Sequence, residues 1–141
     1  MAHRAIGRSA HRLIDAGGRR HAVGTLHEQL RHRAKQFAIR IVRLFRSLPK
    51  TAEARIIGKQ LLRAGTSVAA NYRAVGRARS KAEFVAKMGV VVEEADETVF
   101  WLELLVDTGI VSEAQMKELL TEANELLAIF AASHGTAKAR G

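Results

Sequence analysis

The sequence predicts an all-α protein, a four-helix bundle in antiparallel up-down-up-down order. Three observations lead to this prediction. Four stretches repeat apolar residues at alternating intervals of three and four, which is the spacing of one helix face. The 141 residues include one proline, so regular elements are free to be long. The breaks between the four stretches are short, and short connections join antiparallel neighbours in bundles.

The first helix is predicted at about residues 26–47. Thr25 and Glu28 form a capping-box pattern at its start, and Pro49 ends it because the residue before a proline avoids the α conformation. The second helix is predicted at about residues 52–76. Its helical period continues through the small-residue stretch AGTSVAAN, where Gly65 weakens the helix and so indicates close approach by a neighbouring helix.

The third and fourth helices are predicted at about residues 81–107 and 113–133. Ser80 with Glu83 and Ser112 with Gln115 are capping-box patterns before them, and Gly109 suits the position just past the third helix. The predicted bundle therefore occupies residues 25–134. Residues 1–24 are basic and aperiodic and are predicted to be a disordered N-terminal arm, and residues 135–141 a frayed tail.

The composition excludes several protein classes. There is no cysteine, which excludes disulfides and thiolate metal sites and is compatible with a reducing cytoplasm, the predicted location. No stretch approaches the roughly 20 apolar residues of a membrane span, and the N-terminus has no apolar signal-peptide core. We therefore expect no membrane association.

The charge is strongly asymmetric along the chain. The net formal charge is +4 over residues 1–27, +12 over residues 28–82 and −7 over residues 83–141. A basic half followed by an acidic half predicts either a polyanionic partner or neutralisation of one half by the other, within or between subunits.

The candidate nucleic-acid-binding residues form the polar face of the second helix and extend onto the first helix. They are Arg55, Lys59, Arg63, Arg73, Arg77, Arg79, Arg43 and Arg46. Such a face binds phosphates by releasing counterions. The alternative is a solvated face, or one paired with the acidic third helix. Base stacking is not indicated, because Tyr72 is the one aromatic residue among the arginines.

Catalytic, cofactor and metal sites are not indicated. No strand and no Gly-Lys-Ser/Thr sequence accompany the glycines, as a phosphate-binding loop requires. No histidine follows a glutamate by three residues, as in di-iron bundles, and no histidine lies between His32 and His134 to activate a serine. We therefore expect no catalytic residue, no metal, no cofactor and no enzymatic activity.

A group of large apolar residues lies away from the main apolar stripe of the third helix. Phe100, Trp101 and Leu104 occur there among carboxylates that include Glu97. Grouped exposed apolar residues mark interaction surfaces, so these four residues are the predicted oligomer interface. The alternative is a wide core face.

The segments QLLRAGTSVAANYRAVGRARSKAEF and EEADETVFWLELL resemble the four-helix-bundle proteins encoded in intervening sequences of bacterial 23S ribosomal RNA genes. The similarity covers about residues 26–133. It implies a ring-like homopentamer, and the same bundle is similar to the accessory protein of diversity-generating retroelements, which works with a reverse transcriptase and nucleic acid. It also implies that Ser67 and Asn71 are buried and hydrogen-bonded and that Arg63, Arg77 and Arg79 are the basic positions.

This sequence departs from that family pattern in two places. Ala74 stands where the family has a glutamate, and Glu93 and Glu94 replace a Gly-Ser pair. Functions that depend on the missing glutamate are therefore not carried over.

Together these features predict a non-enzymatic oligomeric bundle that binds RNA or DNA phosphates through its first two helices. The alternative is a protein-interaction scaffold or accessory subunit, for example to a reverse transcriptase. In that case the basic face forms salt bridges with a neighbouring subunit or a partner.

Overall fold

The computed structural model describes residues 19–140, with side chains from Leu26 onward. It contains four α-helices: α1 (Arg19–Ser47), α2 (Ala52–Val75), α3 (Lys81–Asp107) and α4 (Glu113–Ala139). No strand occurs between residues 19 and 140, so the prediction of an all-α, four-helix protein is confirmed for the described chain. Residues 34–140 belong to one compact unit, which carries the site described below.

Side-chain caps fix the starts of three helices. The hydroxyls of Thr51, Ser80 and Ser112 each accept a hydrogen bond from the backbone N–H of the residue three positions later. The donor–acceptor distances are 3.3, 3.0 and 3.2 Å. Each cap satisfies one of the donors that a helix start leaves without a partner. Gly109 ends the α3 turn with φ of 75°, a conformation that favours glycine. Consequently α2 and α3 lie within one residue of the predicted bounds.

The two outer helix ends differ from the prediction. α1 begins at Arg19 and not near residue 26, so Thr25 is inside the helix and is not its cap. α4 continues through Gly135 to Ala139 and not to residue 133, so most of the predicted tail is helical. Adding a residue to an existing helix gains one hydrogen bond without a new nucleation step. This gain offsets the unfavourable helix propensity of a single glycine. The predicted arm is otherwise outside the described residues, which begin at residue 19.

The small-residue side of α2 packs closely against α1. The helix is unbroken through AGTSVAAN. A methyl group at Gly65 would lie 2.9 Å from Cγ1 of Ile41, and one at Gly58 would lie 2.8 Å from Cδ1 of Leu48. Gly65 meets the branched stem of Ile41, so the close approach of the two helices requires a glycine there, whereas at Gly58 the end of the Leu48 side chain would have to move.

The core of residues 34–140 receives large side chains from all four helices. Ile41, Leu61, Leu102 and Phe130 are fully buried, and burial of each such side chain stabilises the fold by about 1.5–3 kcal/mol. The Tyr72 ring packs on Phe130 with 4.9 Å between ring centroids, which joins α2 to α4. Burial raises the pKa of the Tyr72 hydroxyl to about 12. The opposite side of α2 is left to the solvent, and it carries the cations.

Candidate nucleic-acid interface

The structure leaves all eight predicted phosphate-binding cations exposed. They are Arg43 and Arg46 on α1 and Arg55, Lys59, Arg63, Arg73, Arg77 and Arg79 on or just after α2. In the part of the chain that the structure describes, Arg63 alone among the eight has a carboxylate within 4 Å. We call the other seven the basic surface.

Helix geometry explains why the cations of α2 point away from the core. At 3.6 residues per turn, Arg55 and Arg73 share one direction around the helix, and Lys59 lies about 40° from it. The buried residues of α2, which include Leu61 and Val68, occupy the opposite side. These cations of α2 therefore lie on the side away from its buried residues, as the polar face in the sequence predicts.

Arg63 is the exception and belongs to a network with α3. It lies about 80° around α2 from Arg55 and Arg73. One guanidinium nitrogen lies 3.2 Å from Oε1 of Glu94, and the other donates a hydrogen bond to Glu97. The indole N–H of Trp101 donates to the same Glu97 carboxylate at 3.0 Å. Arg63 therefore serves α2–α3 packing.

The electrostatics of this network favour its charged form. The hydrogen bond from Trp101, followed by that from Arg63, holds the pKa of Glu97 below its ordinary value. The hydrogen bond to Glu97 in turn raises the pKa of Arg63. Part of the acidic stretch of α3 thus neutralises a cation of its own chain, one of the arrangements that the charge asymmetry allowed.

The two polar positions of α2 differ from their expected burial. Ser67 and Asn71 are half-buried and not buried, because they lie between the core side of α2 and its solvent side. The Asn71 amide donates to the backbone carbonyl of Ser67 at 2.8 Å. This bond is local to one helical turn, so it satisfies the amide without joining two helices.

The predicted interface residues form an aromatic cluster on α3. Phe100 is 52% exposed, whereas Trp101 and Leu104 are half-buried. The two rings meet edge to face, with 4.8 Å between their centroids. Glu97 lies one turn before Trp101 and bonds to it. Phe100 is therefore the most exposed apolar surface of this group.

A pocket of about 220 Å³ lies where α1 turns into α2. Its lining includes Arg46 from the last turn of α1, Arg55 and Lys59 from α2, and Lys50 from the connection. The polar face predicted from the sequence does not include Lys50, because helical periodicity assigns faces only to helical residues. The sequence does indicate Lys50 by its position directly after Pro49, between two helix ends that carry cations.

A larger groove of about 740 Å³ has the opposite charge. It lies between the end of α3 and the start of α4, with the carboxylates of Glu103, Asp107 and Glu113 and the cation of Lys117 in its lining. Val106 and Leu120 contribute half-buried apolar surface to the same groove. The charge asymmetry of the sequence is thus also an asymmetry between two concave surfaces.

The described residues include neither a cluster of metal ligands nor a membrane span. Between residues 19 and 140, no three His, Asp or Glu side chains are grouped so that they could hold a metal ion. None of the described helices combines the length and apolar character needed to cross a membrane.

Comparison with known proteins identifies the relatives of this bundle. A solved structure from Bacteroides thetaiotaomicron VPI-5482, a protein with unknown function from the S23 ribosomal protein family, is 31% identical, with a TM-score of 0.72. The alignment covers 77% of this chain and 97% of that chain. A comparison with curated proteins gives no match. The family model of the 23S rRNA-intervening sequence protein matches residues 28–132, as the motifs of α2 and α3 predicted. The chain therefore belongs to the 23S rRNA-intervening sequence protein family.

Proposed function

We propose that this protein is a non-enzymatic, cytoplasmic bundle that binds RNA or DNA through the basic surface. The observation that carries the proposal is the exposure of seven cations on α1, on α2 and just after α2, none of which has a carboxylate within 4 Å in the described chain. Solvation or internal ion pairing alone does not require such an excess of positive charge on one surface. Phosphates of a nucleic-acid strand are the polyanion that matches it.

Arg63 takes a different role in this proposal from its neighbours. Because it is bound to Glu94 and Glu97, phosphate contact would require loss of two carboxylate contacts. We therefore assign phosphate binding to Arg43, Arg46, Arg55, Lys59, Arg73, Arg77 and Arg79, and helix packing to Arg63.

The proposal includes the up-down-up-down order of the helices. Contacts between α1 and α2 support it, because Gly58 faces Leu48 whereas the later Gly65 faces the earlier Ile41. The pairing of Arg63 in α2 with Glu94 in α3 and the approach of His134 in α4 to Gly89 in α3 fit the same order.

The proposal also includes assembly of the subunit into a ring-like homo-oligomer, a pentamer by family resemblance. The exposed Phe100 and its contact with Trp101 support a protein interface on α3, since exposed aromatic clusters mark such surfaces. Several basic surfaces in one ring would contact one strand together, which raises avidity without new contacts.

The test is equilibrium binding of a fluorescent single-stranded RNA and of a duplex DNA, followed by anisotropy at low salt. We compare the wild type with a triple variant on and just after α2, Arg55→Glu, Arg73→Glu and Arg77→Glu. The variant is expected to lose at least tenfold in affinity, because each phosphate contact contributes about 1 kcal/mol or more.

The matched control carries the same charge change on α4, with Lys117→Glu, Lys138→Glu and Arg140→Glu. These three residues are exposed and lie outside the basic surface. Equal loss in both triple variants would show a response to net charge alone and would contradict a basic-surface site. Absence of binding by the wild type at low salt would reject the function.

A second candidate function is a scaffold or accessory subunit that binds a protein. The acidic groove favours it, because its carboxylates and half-buried Val106 and Leu120 suit a cationic, amphipathic segment of a partner such as a reverse transcriptase. Glu103→Lys with Asp107→Lys separates the two candidates. This double variant abolishes binding of a protein partner if the partner binds the acidic groove. It leaves the RNA affinity undiminished if RNA binds the basic surface.

A further inference from the structure

The pocket at the α1–α2 connection has a more specific chemistry than the rest of the basic surface. Arg46, Lys50, Arg55 and Lys59 line about 220 Å³ of space, and no carboxylate is part of the lining. Glu53, the acidic residue of the first turn of α2, is exposed and is not part of the lining. Four like charges around one small cavity repel each other unless an anion lies between them.

Part of the pocket lining is apolar. Phe45, Leu48, Pro49 and Ala54 line the pocket together with the four cations. A lining that combines cations with apolar surface matches a nucleotide end, which has a charged phosphate group joined to a less polar sugar and base. A bare inorganic anion would leave the apolar part of the lining without a contact.

One of the two adjoining helix ends, the start of α2, adds to the preference for an anion. Ala54 is in the first turn of α2, where the helix dipole is positive, and Thr51 caps that turn. At the end of α1, where the dipole is negative, the carbonyls of Leu44 and Phe45 accept bonds from Ser47 and Leu48. The end of α1 therefore opposes an anion less than an uncapped helix end would.

The number of cations and the concave shape favour one kind of phosphate. An internal phosphodiester carries one negative charge and is flanked by nucleotides on both sides, so it reaches a convex surface more easily than a small pocket. A terminal phosphate monoester carries about −1.5 to −2 charges at pH 7, offers three acceptor oxygens and is flanked on one side only. We propose that this pocket holds the terminal phosphate monoester of a nucleic-acid strand.

This inference rests on the proposed function and deepens it, since it separates an end-binding pocket from the remaining cations. Arg46, Lys50, Arg55 and Lys59 recognise the strand end, and Arg43, Arg73, Arg77 and Arg79 contact phosphates of the strand that follows.

The test compares one short single-stranded RNA with a terminal phosphate and the same RNA with a terminal hydroxyl, labelled at the opposite end. Wild-type protein is expected to bind the phosphorylated form at least tenfold more tightly, as charge-assisted hydrogen bonds of ordinary strength imply. The RNA is prepared in 5′-phosphorylated and 3′-phosphorylated forms, and preference for either phosphorylated end supports the proposal.

The variants Lys50→Gln and Lys59→Gln are expected to reduce the preference to below about threefold, because each removes one of the four charges. Arg73→Gln is the control: it lies on α2 outside the pocket, weakens both RNA forms equally and keeps the preference. All three positions are exposed, and circular dichroism verifies that each variant is folded.

The outcomes separate the pocket from the wider function. Equal affinity for phosphate and hydroxyl ends, with RNA binding intact, overturns the pocket and leaves the basic surface standing. A preference that survives Lys50→Gln and Lys59→Gln also overturns it. Absence of RNA binding by the wild-type protein rejects the proposed function and the pocket together. Competition by adenosine monophosphate or inorganic phosphate at the concentration of the RNA assigns the pocket to a free phosphate compound and overturns the strand-end proposal.

Discussion

Arg63 shows at the scale of one residue how charge alone misassigns a role. It follows Arg55 and Lys59 at the same four-residue interval, yet the rotation of the helix brings it to α3. There it contacts Glu94 and Glu97. A sequence pattern identifies the polar side of a helix, but which polar residue faces the neighbouring helix depends on how the two helices pack.

Glu97 gives a prediction of pH dependence. Trp101 and Arg63 lower its pKa below the ordinary value of 4.5, and Glu94 is the other carboxylate on the same arginine. The ionised form thus stabilises the fold above about pH 4.5, and this contribution is lost as the pH falls through the lower folded pKa. Glu97→Gln should therefore be less stable than wild type at pH 7.

Urea unfolding at neutral and acidic pH measures this effect. The wild type and Glu97→Gln should converge in acid, where both side chains are neutral. Glu103→Gln changes an exposed carboxylate with no described hydrogen bond and is expected to match the wild type at both pH values. A Glu97→Gln deficit that persists undiminished in acid would assign the effect to packing and not to charge.

Gly65 gives a prediction of close packing. Alanine there gains about 0.8–1 kcal/mol of helix propensity but places a methyl group 2.9 Å from Ile41. Overpacking of a core contact costs about 1–3 kcal/mol, so after the propensity gain is subtracted Gly65→Ala is expected to lower the free energy of unfolding by up to about 2 kcal/mol.

The control is Gly135→Ala in α4, where no atom lies within 4 Å of the added methyl group. This variant should be as stable as wild type or more stable, by up to about 1 kcal/mol. Chemical denaturation of both variants decides the point. Stabilisation by Gly65→Ala would mean that α1 and α2 do not approach this closely.

At the scale of the helix, local sequence signals predicted boundaries well where a cap forms and poorly where none does. Ser80 and Ser112 begin α3 and α4 because their hydroxyls bind the first-turn N–H groups. Thr25 and Glu28 have the same spacing, but α1 already extends from Arg19 and passes through them. A capping pattern thus marks a possible start, and the neighbouring residues decide whether the helix begins there.

The cap of α3 is expected to contribute measurably to stability. Ser80→Ala should lower the free energy of unfolding by about 1 kcal/mol. Ser80→Asp should retain most of the stabilisation by the cap, because a carboxylate also accepts the hydrogen bond from the Glu83 N–H. Ser133→Ala, at an exposed position within α4, should have no such effect. Thermal unfolding compares the three, and equal stability of Ser80→Ala and Ser80→Asp would contradict a capping role.

At the scale of the whole molecule, the class, the helix number and the family followed from the periodicity and motifs of α2 and α3. The two concave surfaces did not. The cationic pocket depends on Lys50 in a connection that no periodicity describes, and the acidic groove depends on how the end of α3 lies beside the start of α4. Both arise from the junctions between helices, where residue spacing carries little information.

Assembly is tested best at Phe100. Trp101 also bonds to Glu97 within its own chain, so a change there would disturb the subunit as well as the interface. Phe100→Glu places a charge on the most exposed ring and is expected to give a smaller particle by light scattering with multi-angle detection. Ala132→Glu adds the same charge to an exposed position on α4 and should leave the mass unchanged. A wild-type monomer, or an unchanged Phe100→Glu oligomer, would contradict the interface.

The central claim is that the basic surface neutralises nucleic-acid phosphates, and the salt dependence of RNA affinity tests it most directly. A plot of log K against log salt concentration should fall linearly, with a slope of about −0.7 for each phosphate contacted on a single strand. Arg73→Gln should make the slope shallower by about 0.7, whereas Arg63→Gln, which removes an internally paired cation, should leave it unchanged. A wild-type slope near zero, or an equal change for both variants, would contradict the account.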